Sequence, residues 1–150
     1  MKRTPHISAL VCCLAVAFSL MLSSCTHNNG DIGIWFGTWH VEKITHADSD
    51  EPVASYHGTH FMQFQSSVIR IVATDSLHNY EQSFGTWEAD EANHLLRINF
   101  PDSARFNCTL KGIDYHNTFV IEEANASHIT LSHASIPDSP QLRYYLQKLD

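Results

Sequence analysis

From about residue 35 to its end, the chain consists of short segments in which apolar and polar residues alternate. A period of two places every second side chain on the same face, which predicts β-strands with one buried face. No segment keeps a period of 3.6 over ten residues, so we expect little helix. The alternating apolar residues, with two further segments of strand-like composition, predict nine strands, at Trp39 and Val41; Met62 and Phe64; 67–74; 80–89; Leu96, Ile98 and Phe100; Phe106, Cys108 and Leu110; Phe119 and Ile121; Ile129 and Leu131; and Leu142, Tyr144 and Leu146.

Turn-forming residues separate these segments and indicate how the strands are connected. Clusters of Asp, Asn, Ser and Pro lie at 48–52, 75–76, 90–93, 101–103, 116–117, 125–127 and 137–140. Short turns between consecutive strands predict an antiparallel meander, which can bury its apolar face and lose its open edges by closing on itself. We therefore predict an all-β domain over residues 35–150, a meander of about eight to nine strands that closes into a barrel. A two-sheet β-sandwich is the alternative.

The first 24 residues have the organisation of an export signal. A basic pair at 2–3 precedes an uncharged, largely apolar run at 7–22, and two small residues follow at 23–24. This order is typical of a secretory signal peptide. The apolar run is shorter than the roughly 20 residues of a membrane-spanning helix, so a permanent span is the weaker interpretation.

The tetrapeptide Leu-Ser-Ser-Cys at 22–25 resembles the lipobox of bacterial lipoproteins. The resemblance implies cleavage before Cys25 and attachment of lipid, with palmitate-type acyl chains, to that cysteine. The alternative is an ordinary signal peptide with an incidental cysteine. The polar, Gly- and Asn-rich segment that follows Cys25, up to residue 34, predicts a flexible tether. We expect a lipid-anchored protein of the cell envelope, in the outer membrane, on its periplasmic face rather than on the cell surface.

Charge excludes one class of partner. The chain has 9 basic and 16 acidic residues, a net charge of −7, and loss of Lys2 and Arg3 with the signal changes this to −9. Binding to phosphate backbones needs a basic surface, so nucleic acid is not an expected partner. The expected partners are the membrane, through the lipid on Cys25, and a possible small apolar ligand, while any envelope protein partner is unknown.

Cysteine usage leaves the domain without a predicted disulfide. Two of the four cysteines lie in the signal and a third is Cys25, so Cys108 is the remaining thiol of the mature chain. Because Cys108 lies in an alternating apolar run, we expect it to be a small core residue rather than a nucleophile.

A repeated tetrapeptide carries a resemblance to a known family. Phe-Gly-Thr-Trp occurs at 36–39 and again at 84–87. The first copy, at the start of the first strand, resembles the Gly-x-Trp signature of lipocalins, where the tryptophan closes the floor of the barrel. The segments at 85–88 and 95–98 and the C-terminal strands are similar to small lipocalin-like domains of bacterial envelope lipoproteins. The resemblance covers about 36–149 and implies a calycin-type barrel, although the short chain argues against a deep ligand cup.

The two tryptophans of this motif have two possible roles. A glycine before an aromatic residue permits a β-bulge or a close approach of two backbones. The tryptophan covers a large apolar area, while its indole N–H needs an acceptor. It either fills the core or contacts a ligand. If the barrel binds a ligand, the expected contacts are the aromatic side chains Trp39, Phe64, Phe84, Trp87 and Tyr144.

The sequence contains no motif that predicts catalysis or a cofactor. His57 and His60 fall on opposite faces of an extended segment and lack thiol partners, so we predict no metal site. No Gly-x-Ser-x-Gly elbow or phosphate-binding loop is present, and we predict no catalytic residues. Two functions remain open, a lipid-anchored binding module for a small apolar or amphipathic molecule and a structural or partner-binding lipoprotein with a plugged barrel. A small hydrolase or isomerase built on the barrel is a third class.

Overall fold

A ring of antiparallel strands dominates the computed structural model, which describes residues 30–101, 108–134 and 141–149. In these residues a 3-10 helix, Gly30–Trp35, precedes nine strands. The strands are β1 (Gly37–His46), β2 (Pro52–Ser55), β3 (His60–Gln65), β4 (Val68–Thr74), β5 (Tyr80–Asp90), β6 (Leu95–Asn99), β7 (His116–Ala124), β8 (His128–His133) and β9 (Leu142–Lys148). None of the helices in the described residues is long and apolar enough to cross a membrane.

Eight of these strands close into a barrel. From β3 to β9, each strand pairs antiparallel with the next one along the chain. The first strand completes the ring because one of its edges pairs with β3 and the other with β9. The predicted all-β meander that closes into a barrel is therefore confirmed, and the chain does not form the alternative sandwich.

The strand β2 lies outside the ring and is absent from the sequence-based prediction. It pairs with β1 at Lys43, Ile44 and Thr45, on the edge that β3 occupies nearer the start of β1. Its four residues, Pro-Val-Ala-Ser, have no clear apolar and polar alternation. Pro52 is acceptable as the first residue of this outer strand because it has no N–H to contribute to a ladder. The turn predicted at 48–52 thus ends one residue too late.

The strand predicted at 106–110 is wrong for the part of it that the structure describes. Residues 106–107 lie outside the described residues, and residues 108–115 form turns and irregular backbone. Leu110 is buried while both of its neighbours are exposed. Burial therefore alternates here because a loop packs over the end of the barrel, which produces a strand-like pattern without strand pairing.

The turn predicted at 116–117 is also wrong, since His116 and Asn117 begin β7. The side chain of Asn117 accounts for the turn-like composition. It accepts a hydrogen bond from the backbone N–H of Asp114 at 2.8 Å and donates one to the carbonyl oxygen of Asp114 at 2.6 Å. Asparagine therefore stabilises the turn from inside the following strand.

The predicted turns at 75–76, 90–93 and 125–127 are confirmed, whereas residues 102–103 and 137–140 of two further predicted turns lie outside the described residues. Side chains explain the confirmed turns. Oδ1 of Asp75 accepts hydrogen bonds from the backbone N–H groups of Leu77 and Asn79, at 2.8 and 2.9 Å. Between β7 and β8, Oδ1 of Asn125 accepts one from the backbone N–H of Ser127 at 2.9 Å. These side chains satisfy backbone donors that have no partner in a strand ladder.

Side chains fill the interior of the barrel. Every strand of the ring contributes buried apolar residues to one cluster, which consists of Trp35, Trp39, Val41, Ile44, Met62, Phe64, Ile69, Ile71, Trp87, Leu96, Ile98, Phe100, Leu110, Ile113, Phe119, Ile129, Leu131, Leu142, Tyr144 and Leu146. Each fully buried large apolar side chain contributes about 1.5–3 kcal/mol to folding. The described residues thus form a packed core rather than a deep cup.

Candidate functional site

Four aromatic side chains close the end of the barrel at which β1 begins. They are Trp35, Trp39, Phe64 and Trp87, and we call them the floor cluster. The ring centroid of Trp35 lies 5.5 Å from that of Phe64 and 5.7 Å from that of Trp87. Phe64 meets Trp87 edge to face at 5.0 Å. These distances are typical of favourable aromatic pairs, so packed rings close this end of the barrel.

Two contacts fix the 3-10 helix across the floor cluster. The indole N–H of Trp39 donates to the carbonyl oxygen of Trp35 at 2.9 Å. The ammonium group of Lys148 donates to the carbonyl oxygen of Ile34 at 3.1 Å and lies 5.1 Å from the centroid of the Trp39 ring. Ile34 also packs against the core, so ordered contacts begin within the segment that the sequence assigns to the tether.

The glycines of the two Phe-Gly-Thr-Trp copies have different physical roles. Gly37 lies where the chain turns from the 3-10 helix into β1. Its φ of 117° is a conformation that residues with a side chain rarely adopt. Gly85 faces the neighbouring strand, where a Cβ atom would overlap the carbonyl oxygen of Asn99 and the ring of Phe100. Of the two alternatives that the motif leaves open, a β-bulge and a close backbone approach, Gly85 has the close approach.

Two indole groups of the floor cluster lack a hydrogen-bond acceptor. Trp35 is 3% exposed and Trp87 is 9% exposed, and Nε1 of each ring is buried with no acceptor among the described residues. Most buried N–H groups in proteins are paired, and an unpaired one costs about 1–3 kcal/mol. Solvent does not reach either Nε1 atom, so the rings must shift before a ligand atom accepts from them, and that hydrogen bond would then remove the cost.

A cleft of about 600 Å³ lies beside these two rings. It is lined by Trp35, Ser66, Ser67, Trp87, Glu88, Ala89 and Glu91, and we call it the floor cleft. The tight β3–β4 turn brings Ser67 to β5, where its carbonyl oxygen accepts the backbone N–H of Trp87 at 3.1 Å. The volume of the floor cleft is in the range of small-molecule binding sites. The lining combines apolar ring surface, serine hydroxyls and two carboxylates.

The opposite end of the barrel is covered by residues 108–113. The backbone N–H of Lys111 donates to the hydroxyl of Tyr56 at 3.2 Å, and its carbonyl oxygen accepts from the hydroxyl of Tyr144 at 2.9 Å. Gly112 has a φ of 81°, and a Cβ there would overlap the side chains of Tyr144 and Leu142. These contacts hold the loop directly against β9.

Burial shifts the pKa of several side chains beneath this loop. It raises the pKa of the Cys108 thiol to about 11 and raises the pKa of the Tyr144 hydroxyl above its usual range. Burial lowers the pKa of His133, and burial together with the nearby His40 lowers the pKa of His60. Each shift favours the neutral form. In the described part of the chain, no group of three or more His, Cys, Asp or Glu side chains is arranged to hold a metal ion.

Comparison with known proteins relates this architecture to solved structures. No protein-family model matches the chain, and no curated protein matches it. A lipocalin-like protein from Bacteroides uniformis ATCC 8492 aligns with a TM-score of 0.60 and 17% identity, over 78% of this chain and 100% of that one. The fold is lipocalin-like. An uncharacterized protein from Bacteroides eggerthii DSM 20697 aligns with a TM-score of 0.58 and 15% identity, over 77% of this chain and 99% of that one.

The lipocalin-like barrel brings together three of the five aromatic residues expected to contact a ligand. Trp39, Phe64 and Trp87 all belong to the floor cluster. Tyr144 is buried at the opposite end, beneath the 108–113 loop. Phe84 is 56% exposed on the outer surface of β5. Phe84 and Trp87 are three residues apart, so they face opposite sides of a regular strand.

Sequence reasoning missed most of the residues that line the floor cleft. Trp35 lies one residue before the first Phe-Gly-Thr-Trp copy. Its position next to the motif could have indicated that it packs with Trp39 at the same end of the barrel. Ser66 and Ser67 are adjacent polar residues between two apolar strands and indicate a tight turn, which Ser66 makes with a φ of 47°. No pattern along the chain indicates that this turn meets Trp87.

Proposed function

We propose that this protein is a lipid-anchored binding protein of the bacterial cell envelope that binds a small amphipathic molecule at the floor cleft. The observation that carries the proposal is the pair of buried indole N–H groups, of Trp35 and Trp87, that lack an acceptor beside a cleft of about 600 Å³. The ring surfaces suit an apolar segment of a ligand, and the N–H groups suit an acceptor atom in its polar head. The proposal includes no catalytic step.

The packed interior supports a site at the floor cleft rather than inside the barrel. Large side chains such as Met62, Phe119 and Leu131 occupy the middle of the ring and are inaccessible to solvent. The 108–113 loop covers the other end, with Leu110 in contact with the core. A ligand inside the barrel would have to displace these well-packed side chains, at a cost of several kcal/mol.

A lipid on Cys25 would keep this site near a membrane. Cys25 lies outside the described residues, ten positions before Trp35 in the sequence. Ten residues span at most roughly 36 Å when fully extended. The 3-10 helix then leads directly to Trp35 at the floor cleft. An amphipathic molecule that partitions between membrane and water would therefore meet the cleft. We propose the periplasmic face of the outer membrane as the location.

The binding site is tested by calorimetric titration of the chain that starts at residue 26, since all nine strands follow that point. The probe is dodecylphosphocholine at monomeric concentrations. Trp87→Phe removes one unpaired donor and should weaken binding by about fivefold to tenfold. Phe84→Leu, on the outer surface, is the matched control and should change the affinity less than twofold. Weaker binding by Phe84→Leu with no effect of Trp87→Phe would place the ligand on the outer surface and refute the proposal.

The anchor is tested in the full-length chain expressed in a bacterial host. Labelled palmitate should be incorporated, and Cys25→Ser should abolish the label and release the protein from the membrane fraction. Cys108→Ser is the control, because its thiol lies inside the barrel domain and should not carry lipid. Incorporation that survives Cys25→Ser would contradict the anchor.

A second candidate function is a structural or partner-binding lipoprotein with a plugged barrel. The filled interior is the observation that favours it. Native mass spectrometry of the protein purified from its own envelope separates the two functions. A retained small molecule supports the binding protein. A protein free of any small molecule, together with no titratable binding of the probe, supports the plugged barrel.

A further inference from the structure

The charges around the floor cleft indicate which head group the ligand carries. Of the residues that line the cleft, Glu88 and Glu91 are acidic and none is basic. Glu88 follows Trp87 and is exposed on the outer side of β5, and Glu91 is exposed in the turn after β5, so their carboxylates lie at the rim of the cleft. The chain as a whole also carries more acidic than basic residues. A carboxylate or sulfate head group would therefore enter a region of unfavourable potential.

Neighbouring charges do not cancel this potential. Arg97 is the register partner of Glu88 on β6, but the described residues form no ion pair between the two. The guanidinium of Arg97 instead lowers the pKa of Asp90, after the larger effects of hydrogen bonds from Asn93. Three carboxylates, of Glu88, Asp90 and Glu91, and one guanidinium lie on β5, on β6 and in the turn between them, which leaves an excess of negative charge at the cleft.

The floor cluster adds a second requirement. The indole N–H groups of Trp35 and Trp87 are donors, and they bind an oxygen rather than an ammonium group. A head group that satisfies both features has an acceptor oxygen close to a positive charge. Such an oxygen accepts from the indoles, while the cation faces Glu88 and Glu91.

We propose, on the basis of the binding function above, that the floor cleft selects amphiphiles with a zwitterionic head group, in which a phosphate or carboxylate oxygen lies next to an ammonium group. A fatty acid has the acceptor without the cation, and a quaternary alkylamine has the cation without the acceptor. Both bind less well than the zwitterion with the same chain. The serine hydroxyls of the β3–β4 turn provide further donors to the same oxygen.

The test compares three probes that share a dodecyl chain, titrated as monomers into the chain that starts at residue 26. The expected order of affinity is dodecylphosphocholine, then dodecyltrimethylammonium, then dodecanoate, with at least a tenfold difference between the first and the last. Free phosphocholine, without an alkyl chain, should bind at least tenfold more weakly than dodecylphosphocholine. Circular dichroism at the highest probe concentration verifies that the barrel stays folded.

A charge variant connects the preference to the cleft. Glu88→Gln combined with Glu91→Gln should reduce the preference for dodecylphosphocholine over dodecanoate by about threefold to tenfold. Asp48→Asn combined with Glu51→Gln removes the same charge from the β1–β2 turn at the other end of the barrel, and should leave the preference unchanged within twofold. An equal reduction by both variants would assign the effect to net charge and overturn the inference.

The outcomes separate this inference from the proposed function. If dodecanoate binds as tightly as dodecylphosphocholine, with Trp87→Phe still weakening both, the cleft binds amphiphiles but the head-group selection is refuted. If free phosphocholine binds as tightly as the amphiphile, the ligand is a soluble zwitterion and the amphiphile is refuted. If none of the probes binds, the proposed function fails together with the inference.

Discussion

The indole N–H of Trp39 donates to the backbone carbonyl oxygen of Trp35, four residues earlier, at 2.9 Å. The bond joins the first tryptophan of the Phe-Gly-Thr-Trp motif to the helix that closes the barrel. Trp87, the tryptophan of the second copy, is buried in the same cluster without an acceptor for its own N–H. Two tryptophans in identical tetrapeptides therefore have different hydrogen-bonding states.

This difference predicts unequal costs for the same substitution. Trp39→Phe removes buried ring atoms and leaves the Trp35 carbonyl oxygen without its donor, so we expect a loss of about 3 kcal/mol in the free energy of unfolding. Trp87→Phe removes the same atoms from a site without that bond and should cost about 1 kcal/mol less. Urea unfolding of the two variants measures both values. Equal losses would contradict a stabilising role for the Trp39 hydrogen bond.

Adjacent tyrosines on β9 provide a second matched pair. The hydroxyl of Tyr144 donates to the carbonyl oxygen of Lys111 at 2.9 Å and attaches the 108–113 loop to the barrel. Tyr144→Phe leaves that oxygen without this donor, so the free energy of unfolding should fall by about 1–2 kcal/mol. Tyr145 donates to Asp50 at 3.4 Å in an exposed position, and Tyr145→Phe should change stability by less than about 0.5 kcal/mol. A larger effect at Tyr145 would be inconsistent with this packing of the loop.

Stability should depend on pH through His133. Burial lowers the pKa of His133 from 6.5, and its ring stacks on Phe119 at 4.9 Å. A histidine with a lowered pKa binds protons more readily in the unfolded chain, so its contribution to stability is complete above about pH 6.5 and decreases as the pH falls below that value. Between pH 7.5 and pH 5, the unfolding free energy of His133→Gln should therefore fall less than that of the parent chain.

The control for this pH dependence is His78→Gln, at an exposed position in the turn between β4 and β5. The unfolding free energy of His78→Gln, plotted against pH, should run parallel to the parent profile. A His133→Gln profile that is parallel to the parent profile would show that other groups cause the acid sensitivity.

The thiol of Cys108 should react slowly in the folded protein. Burial raises its pKa from 9.0 to about 11, which reduces the thiolate fraction near pH 8 by roughly a hundredfold. In the chain that starts at residue 26, Cys108 is the sole cysteine, so its modification by a disulfide reagent can be followed directly. The rate should increase at least a hundredfold in denaturant. Similar rates in the folded and unfolded chain would contradict its burial.

Gly85 should tolerate a methyl group poorly. Gly85→Ala forces a Cβ against the carbonyl oxygen of Asn99 and the ring of Phe100, and we expect a loss of about 3 kcal/mol in the free energy of unfolding. Gly58→Ala is the comparison, because a Cβ there meets no atom within 4 Å. This variant should lose only about 1 kcal/mol, since alanine is strained at a φ of 73°. Thermal or urea unfolding measures both. A smaller loss at Gly85 than at Gly58 would contradict the close approach of β5 to β6.

The strands were predictable because each strand of a barrel has one face in the core. Trp39 and Val41 alternate with polar neighbours, and so do Met62 and Phe64, and the structure buries all four. The loop at 108–113 also alternates in burial, yet it forms no strand, because it covers the end of the barrel instead of pairing with a neighbour. The local alternation of apolar and polar residues indicates which side chains are buried. It does not indicate whether the backbone pairs with a neighbouring strand.

The candidate site was partly predictable. Trp39, Phe64 and Trp87 were expected at a ligand site and lie in one cluster. Phe84 was assigned to the same site, although its separation of three residues from Trp87 on a regular strand is sufficient to assign it to the outer face. Glu88, Ser67 and Trp35 meet at the floor cleft through pairing between strands, for which the sequence contains no local signal.

The sequence by itself determined the all-β class and the turns at Asp75 and Asn125, because these depend on local geometry and on which side chains avoid water. Tertiary structure decided the rest. The pairing of β1 with β9 joins the two ends of the domain and converts a meander into a closed barrel rather than a sandwich. The same closure brings Trp35 against Trp87, more than fifty residues away, and leaves two indole N–H groups without an acceptor. Contacts of that kind depend on strand order and register in three dimensions, which alternation along one strand does not specify.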